Sequence, residues 1–182
     1  MRPKRFNHYL LPIVVLSILP AVASAFDYSY VDGGVLYRNT HNNDRVDNGG
    51  FNLGGSVGVL PNIAVIAGYS DTGNYDQIGA GALFHTPINS RVDLNLGATV
   101  EHADGHYHSD TGLGLRGGVR WQVLPALELD PQLRYVDLNG GMTSARLGAL
   151  YRINDSQLFL QGAVQAGDDD RVEAGVRYAF GR

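Results

Sequence analysis

The chain has 182 residues, no cysteine and a formal net charge of −4 at pH 7. The length is enough for one domain. The lack of cysteine excludes a disulfide framework, and the acidic balance argues against a nucleic-acid partner.

The first 25 residues have the pattern of a secretory signal peptide. Arg2, Lys4 and Arg5 precede a short apolar run at 9–19, and Ala23-Ser24-Ala25 resembles a cleavage site. The run is too short for a membrane helix, which needs about 20 apolar residues. Cleavage after Ala25 would leave residues 26–182 with no lysine and a net charge of −7, because 11 arginines face 18 acidic residues.

Apolar and polar residues alternate through almost all of the remaining chain. This period of two predicts β-strands with one apolar and one polar face, and turn residues separate the runs. Ten strands are predicted, at 28–37, 50–60, 63–71, 75–84, 91–101, 113–122, 127–135, 144–152, 158–166 and 172–180. Pro131 falls inside the seventh strand and removes a ladder hydrogen bond, so we expect either a bulge there or a strand that departs locally from the predicted one. Eight strands remain the alternative if the first or seventh run fails.

The connections are predicted to be short at one rim and longer at the other. Residues 61–62, 85–90, 124–126 and 154–155 are predicted as short turns, and 39–49 and 102–111 as longer loops. Outer-membrane barrels have short periplasmic turns and longer external loops. An even number of strands would place both termini at the periplasmic rim.

The composition of the two faces predicts that the apolar face points outward. The polar face combines glycines with a predicted lumen network of charged residues: Arg91, Asp93, Glu101, Arg116, Arg120, Glu128, Asp130, Arg134, Arg146, Arg152, Glu173 and Arg177. Glycines lower strand propensity, but between long side chains they leave room inside a barrel. The apolar face carries predicted girdle aromatics near the strand ends, at Tyr37, Phe51, Tyr69, Phe84, Trp121, Tyr135, Tyr151, Tyr178 and Phe180. Two aromatic girdles are typical of a membrane barrel, although aromatics can also cap strands of a soluble sheet.

The last strand, 172–180, ends on Phe180, and the segment 50–71 is a strand, a short turn and a second strand ending in Gly-Tyr-Ser-Asp. These features resemble the small outer-membrane β-barrels of the OmpA-transmembrane-like and OmpW-like group. Gly181 and Arg182 follow the final aromatic residue, whereas that family usually ends on it. The resemblance implies a bacterial outer-membrane location, contact with lipid and lipopolysaccharide, and recognition of the last strand by the barrel-assembly machinery.

The predicted function is a non-enzymatic outer-membrane barrel without cofactors. Eight strands give an interior that side chains fill, and sixteen or more leave an aqueous channel. Arginines and carboxylates should therefore pair within a filled polar lumen. This leaves two roles open: a narrow passage for small polar or anionic solutes, and a structural or surface role.

Two polar segments suggest alternatives. His102, His106 and His108 lie close enough in sequence to bind a transition metal, and His108-Ser109-Asp110 faintly resembles lipid-A-modifying enzymes. The run 168–170 is acidic, which suggests divalent-cation binding near lipopolysaccharide and a distant likeness to barrel proteases. Metal-binding or adhesive surface loops and a barrel enzyme are the alternative functions.

Overall fold

The computed structural model describes residues 26–40, 48–105, 109–138 and 140–181. It is a closed antiparallel β-barrel of ten strands in which each strand pairs with its neighbours in the chain, and β1 pairs with β10. The strands are β1 Tyr30–Thr40, β2 Asn48–Leu60, β3 Ile63–Asp71, β4 Tyr75–Asn89, β5 Val92–Gly105, β6 Ser109–Leu124, β7 Leu127–Val136, β8 Met142–Arg152, β9 Leu158–Gly167 and β10 Asp169–Ala179. The prediction of ten strands is confirmed, and the alternative of eight is wrong. Within the described ranges, no helix is long and apolar enough to cross a membrane.

The predicted signal peptide at 1–25 lies outside the described residues, as do His106 and His108. We use two names for the ends of the barrel. The terminal rim carries Phe26 and the end of β10, with the turns 61–62, 90–91, 125–126 and 153–157. The loop rim is the opposite end, where β1, β3, β5, β7 and β9 finish.

Alternation fixes which side chains face outward. On β10, Val172, Val176 and Tyr178 are exposed on the outer surface. Arg171, which precedes Val172, faces the interior and is buried. The same holds around the wall, where large apolar side chains such as Leu133 and Val35 expose 66% and 65% of their surface. A soluble monomer rarely exposes contiguous apolar surface on this scale.

Four predicted details are wrong. β4 continues through Pro87 to Asn89, so His85 belongs to the strand and not to a turn. β5 extends to Gly105 and β6 begins at Ser109, so residues 102–105 and 109–111 of the predicted loop 102–111 belong to strands. The first strand begins at Tyr30 and not at 28.

The fourth correction concerns Pro131. The β6–β7 ladder omits the pairs at Asp130 and Pro131, but Gly118↔Gln132 and Trp121↔Leu129 have the same register. The wall therefore has a local gap in its pairing and no bulge at the proline. The missing N–H of Pro131 explains the gap, because proline cannot donate to the ladder.

The backbones of the first and last strands approach each other closely where β1 pairs with β10. Gly34 pairs with Gly175 across this seam, and a methyl group added at Gly34 would overlap the backbone of β10. The ion pair Arg177–Asp32, at 2.8 Å, joins the same two strands inside the barrel. Backbone N–H groups extend the seam past the strands, since Phe180 donates to the carbonyl of Ser29 at 2.9 Å.

Candidate functional site

The inward faces of the strands enclose a polar cavity of about 240 Å³, which we call the central chamber. Five arginines and four carboxylates line it, together with neutral polar side chains such as Asn52, Thr99 and Gln132. The charged lining residues are Arg116, Arg134, Arg146, Arg171, Arg177, Asp32, Glu101, Asp130 and Glu173. The chamber thus carries one more formal positive charge than negative charge.

Most of these charges are paired across the lumen. Arg134 lies 3.1 Å from Glu101, and Arg146 lies 3.0 Å from Glu173. Such pairing is expected, because an unpaired charge inside a protein is costly. Arg116 differs: the described residues give it no ion pair, and its Nε atom has no hydrogen-bond partner among them.

Glycines make room for the charged side chains. Gly97 lies directly opposite Arg116 on the neighbouring strand, and a methyl group there would approach the Nε atom of Arg116 to 2.9 Å. Gly79 faces Glu101 in the same way, because a methyl group at that position would overlap the carboxylate. The glycine-rich polar face therefore holds long side chains that larger neighbours would displace.

A buried ion network closes the chamber toward the loop rim. Asp169 accepts from Arg38 Nε at 2.6 Å and from Arg171 Nε at 2.7 Å. Arg171 also donates to Gln77, which in turn donates to Glu101 at the chamber wall. We call Arg38, Asp169, Arg171 and Gln77 the loop-rim network.

An apolar cluster lies next to this network at the loop rim. Ala103, Val136 and Leu138 are almost fully buried, with Tyr75 and Met142 packed against them. The Arg38 guanidinium lies 4.0 Å from the centre of the Tyr75 ring, which links the cluster to the network by a cation–π contact. The loop-rim end of the lumen is therefore filled by side chains.

The N-terminal segment 26–29 fills the other end. Phe26 and Tyr28 enter the barrel at the terminal rim and pack with Ala64, Ile66 and Leu83. We call these five residues the terminal-rim cluster. It adds an apolar cluster to this end of the lumen, whereas the sequence pattern predicts a polar lumen throughout.

Polar contacts hold Tyr28 in place. Its ring stacks on His85 with centroids 3.6 Å apart, and its hydroxyl donates to Asp93 at 3.3 Å. Burial raises the pKa of the Tyr28 phenol above its ordinary value and outweighs the nearby Arg120 guanidinium, which lowers it. Tyr28 therefore stays a neutral hydrogen-bond donor at physiological pH.

Arg120 fixes the same segment from the other side. Its Nε and Nη2 atoms donate to the two oxygens of Glu128 at 2.5 and 3.0 Å, in the bidentate geometry that suits arginine. Its Nη1 atom donates to the backbone carbonyl of Asp27 at 2.8 Å. The guanidinium carbon also lies 4.9 Å from the Phe26 ring centre and 4.7 Å from that of Tyr28.

The predicted lumen residues occupy three different places. Glu101, Arg116, Asp130, Arg134, Arg146, Glu173 and Arg177 line the central chamber, and Asp93, Arg120 and Glu128 are buried near the terminal rim. Arg152 borders a second cavity of about 220 Å³ at that rim, 5.2 Å from the Phe159 ring centre. The prediction that Arg91 lines the lumen is wrong, because its side chain is exposed in the turn that precedes β5.

The predicted girdle aromatics project from the outer wall. Tyr37, Phe51, Trp121, Tyr135, Tyr151, Tyr178 and Phe180 are exposed, and Tyr69 and Phe84 are partly exposed. The rings of Phe51 and Tyr69 meet at 5.8 Å on neighbouring strands.

The two surface segments give a mixed result. His102 is exposed and its Nδ1 atom lies 2.7 Å from the Thr111 hydroxyl, so the described part of the histidine segment shows a cross-strand contact. No group of three metal-binding side chains occurs among the described residues. The acidic run at 168–170 is not a single surface cluster, because Asp169 points inward and is held by two arginines.

Sequence reasoning missed several residues of the site. Arg38, Asp169 and Arg171 were not assigned to the lumen, nor was the N-terminal segment. The sequence did contain a signal for Phe26 and Tyr28. Both are even-numbered, like Tyr30, which faces inward, so alternation predicts that all three share one face. The partners of each charge had no signal in the pattern, since alternation gives the face of a residue and not its neighbours across the lumen.

No protein-family model matches the chain, and no curated protein matches it. Solved outer-membrane barrels are similar in structure. The KdgM porin aligns over 83% of this chain and 99% of its own, with a TM-score of 0.52 and 12% sequence identity. The KdgM porin in complex with disordered oligogalacturonate aligns over 85% and 99%, with a TM-score of 0.51 and 11% identity.

Neisserial surface protein A aligns over 83% of this chain and 96% of its own, with a TM-score of 0.43 and 20% identity. The likeness to the KdgM porin shows that the fold is that of an outer-membrane β-barrel. The comparisons do not show membership of the OmpA-like or OmpW-like group.

Proposed function

We propose that the chain is a bacterial outer-membrane protein that provides a narrow, gated passage for small solutes, with a preference for anions. The single observation that carries the proposal is the central chamber, in which five arginines face four carboxylates inside a closed barrel. Arginine remains charged at any physiological pH. The excess positive charge therefore favours anions that enter the lumen.

The outer surface supports the membrane location. Large apolar side chains are exposed around the wall, and aromatic side chains project near both rims. A closed barrel leaves no unpaired strand edge in lipid. We propose further that residues 1–25 direct export, that β10 and Phe180 are read by the barrel-assembly machinery, and that the loop rim contacts lipopolysaccharide. Asp168 and Asp170 remain the candidates for divalent-cation contact there.

We propose that the passage is gated, because side chains lie across the lumen at both ends of the chamber. The loop-rim network crosses the lumen between the chamber and the loop rim. The terminal-rim cluster lies in the lumen between the chamber and the terminal rim. Solute passage therefore requires displacement of at least one closure. The terminal closure is the better candidate for movement, since Phe26 and Tyr28 belong to a short segment outside the strands.

The mature protein, refolded into a planar lipid bilayer, tests the proposal. Heat-modified gel mobility first establishes that the barrel is folded. We expect small, discrete currents whose reversal potential in a potassium chloride gradient indicates anion preference. Tyr28→Ala should raise the conductance, because it removes the ring that fills the terminal rim, and Tyr37→Ala should not, because Tyr37 lies on the outer wall.

A folded barrel that stays silent as wild type and as Tyr28→Ala would contradict the passage. That result would favour the second candidate, a structural barrel whose loop rim contacts other molecules. Its support is the extent of the two closures, which bury apolar clusters at both ends of the lumen. Neither candidate assigns an enzymatic activity.

The similar structures add one point about solutes. The KdgM porin is known in a complex with disordered oligogalacturonate. That ligand belongs to the KdgM porin, and at 11% identity only the fold is shared. For the present chain we propose solutes small enough for a chamber of about 240 Å³. Membership of the OmpA-like and OmpW-like group stays a prediction.

A further inference from the structure

We infer that the central chamber contains a binding site for a small carboxylate that also carries hydroxyl groups, seated on Arg116. The inference rests on the proposed function, since such a solute would enter the chamber from one rim of the same lumen. It adds to the proposed function a specific binding residue, a class of ligand and a stoichiometry of one anion per barrel.

The first observation is the charge left over after pairing. Every other arginine at the chamber has an ion-pair partner within 4.0 Å, and Arg116 has none among the described residues. Its Nε atom is also shielded from solvent without a hydrogen-bond partner from that part of the chain. A guanidinium with free N–H donors beside a cavity is suited to bind a carboxylate in its planar fork.

The second observation is the position of Arg134. It lies directly opposite Arg116 on the neighbouring strand, and both side chains face the lumen. Like charges in this arrangement destabilise a sheet unless a counter-charge lies between them. Glu101 pairs with Arg134 at 3.1 Å. Glu101 and Asp130 attract the Arg116 guanidinium only from beyond ion-pair distance, so no carboxylate among the described residues contacts it. A bound anion would make that contact.

The third observation concerns the rest of the ligand. The Oδ1 atoms of Asn52 and Asp130 are buried, line the same chamber and lack a hydrogen-bond partner among the described residues. These atoms accept hydrogen bonds, so they suit hydroxyl groups and not a second carboxylate. One unpaired donor group and two unpaired acceptors around one cavity match a hydroxylated monocarboxylate, such as a sugar acid.

Space around the seat supports the same inference. Gly97 lies opposite Arg116, and a methyl group there would press on the Arg116 side chain, so the glycine leaves the space that this side chain occupies. The chamber of about 240 Å³ is smaller than the roughly 300–1,000 Å³ of sites for drug-sized ligands. It therefore accepts one small solute and excludes a folded polymer.

The test is calorimetric titration of the refolded full barrel in detergent micelles with sodium D-gluconate, with folding checked by heat-modified gel mobility. We expect saturable binding of one gluconate per barrel. Arg116→Gln should weaken it about tenfold or more, since a lost charge-assisted hydrogen bond has that effect on affinity. Arg91→Gln is the matched control, because Arg91 is an exposed arginine outside the chamber, and it should bind as the wild type does.

Two further titrants define the ligand class. Sorbitol has hydroxyl groups without a charge, and acetate has the carboxylate without hydroxyl groups, so each should bind at least about tenfold more weakly than gluconate. Equal binding of gluconate by wild type and Arg116→Gln would overturn the site. Equal binding of acetate and gluconate would overturn the role of the acceptors.

Folding should not obscure the result, because Arg116→Gln removes an unpaired charge and leaves every ion pair intact. Arg116→Lys provides a second variant that keeps the charge but loses the planar fork, and it should bind gluconate more weakly than the wild type. Saturable gluconate binding by a silent barrel would refute the passage and retain the site. Currents without gluconate binding would refute the site and retain the passage.

Discussion

An arginine on the outer wall should destabilise this barrel far more than an arginine at the chamber. Leu96 lies at the centre of the outward apolar positions of β5 from Val92 to Val100, and it exposes 52% of its surface. Four residues separate it from each end, or about 13 Å along the strand at ~3.3 Å per residue. With a tilt of about 45°, this is roughly 9 Å of depth on either side, within an apolar band about 25 Å tall.

Leu96→Arg should therefore place its charge near the middle of the apolar band and cost about 2–4 kcal/mol of folding free energy. Thr99→Arg is the matched change on the same strand. Thr99 faces the chamber and donates to Glu101 at 2.7 Å, so an arginine there has a carboxylate within reach. Its cost should be clearly smaller than that of Leu96→Arg, because the added charge lies in the lumen and not in lipid.

The assay is urea-dependent refolding of both variants in lipid vesicles, followed by heat-modified gel mobility. Equal losses of stability for Leu96→Arg and Thr99→Arg would refute the assignment of the two faces. The sequence alone suggests Asn95 as the inward control, but the structure makes it unsuitable. Asn95 is only 3% exposed and pairs with His85 beside the terminal-rim cluster, so an arginine there would be crowded.

Two further variants test the lumen and the seam. Asp169→Asn should destabilise the refolded barrel by about 3–5 kcal/mol, because it leaves the buried Arg38 and Arg171 without their shared carboxylate; an unchanged urea midpoint would contradict this account of the loop-rim network. Gly34→Ala should cost about 1–3 kcal/mol in the same assay, since its methyl group would overlap the backbone of β10. Gly49→Ala is the control, because the nearest atom to its methyl group would lie 4.0 Å away; equal losses for the two glycines would refute the close approach.

The strand pattern predicted the wall of the barrel well because lipid and lumen impose opposite demands on alternate residues. Each side chain on β5 from Val92 to Val100 either contacts lipid or the interior, and the sequence records this choice at every position. The same reasoning failed at Pro87, where a proline suggested a turn. The strand continues there because the register shifts between Pro87 and Asn89, which lets the ladder tolerate the proline.

The rims and the lumen contacts were harder to predict. β5 and β6 extend past the apolar band with polar residues on both faces, so alternation no longer marks them as strands. Asp169 looks like a surface acid because Asp168 and Asp170 flank it. Inside the barrel it pairs with Arg38 and Arg171, which lie opposite each other on β1 and β10. Pairing across a lumen depends on the curvature of the closed sheet, which no local pattern contains.

The seam between β1 and β10 has a consequence for biogenesis. Asp32 and Arg177 are 145 residues apart in the chain, yet they form an ion pair across the last strand junction. Every other junction joins strands that are neighbours in sequence, so each can form as a local hairpin. The final junction requires both ends of the polypeptide at once, and a chain that lacks either end would leave two strand edges open to lipid. Closure should therefore act as a late, all-or-none checkpoint, at which incomplete chains stay recognisable to quality-control proteases.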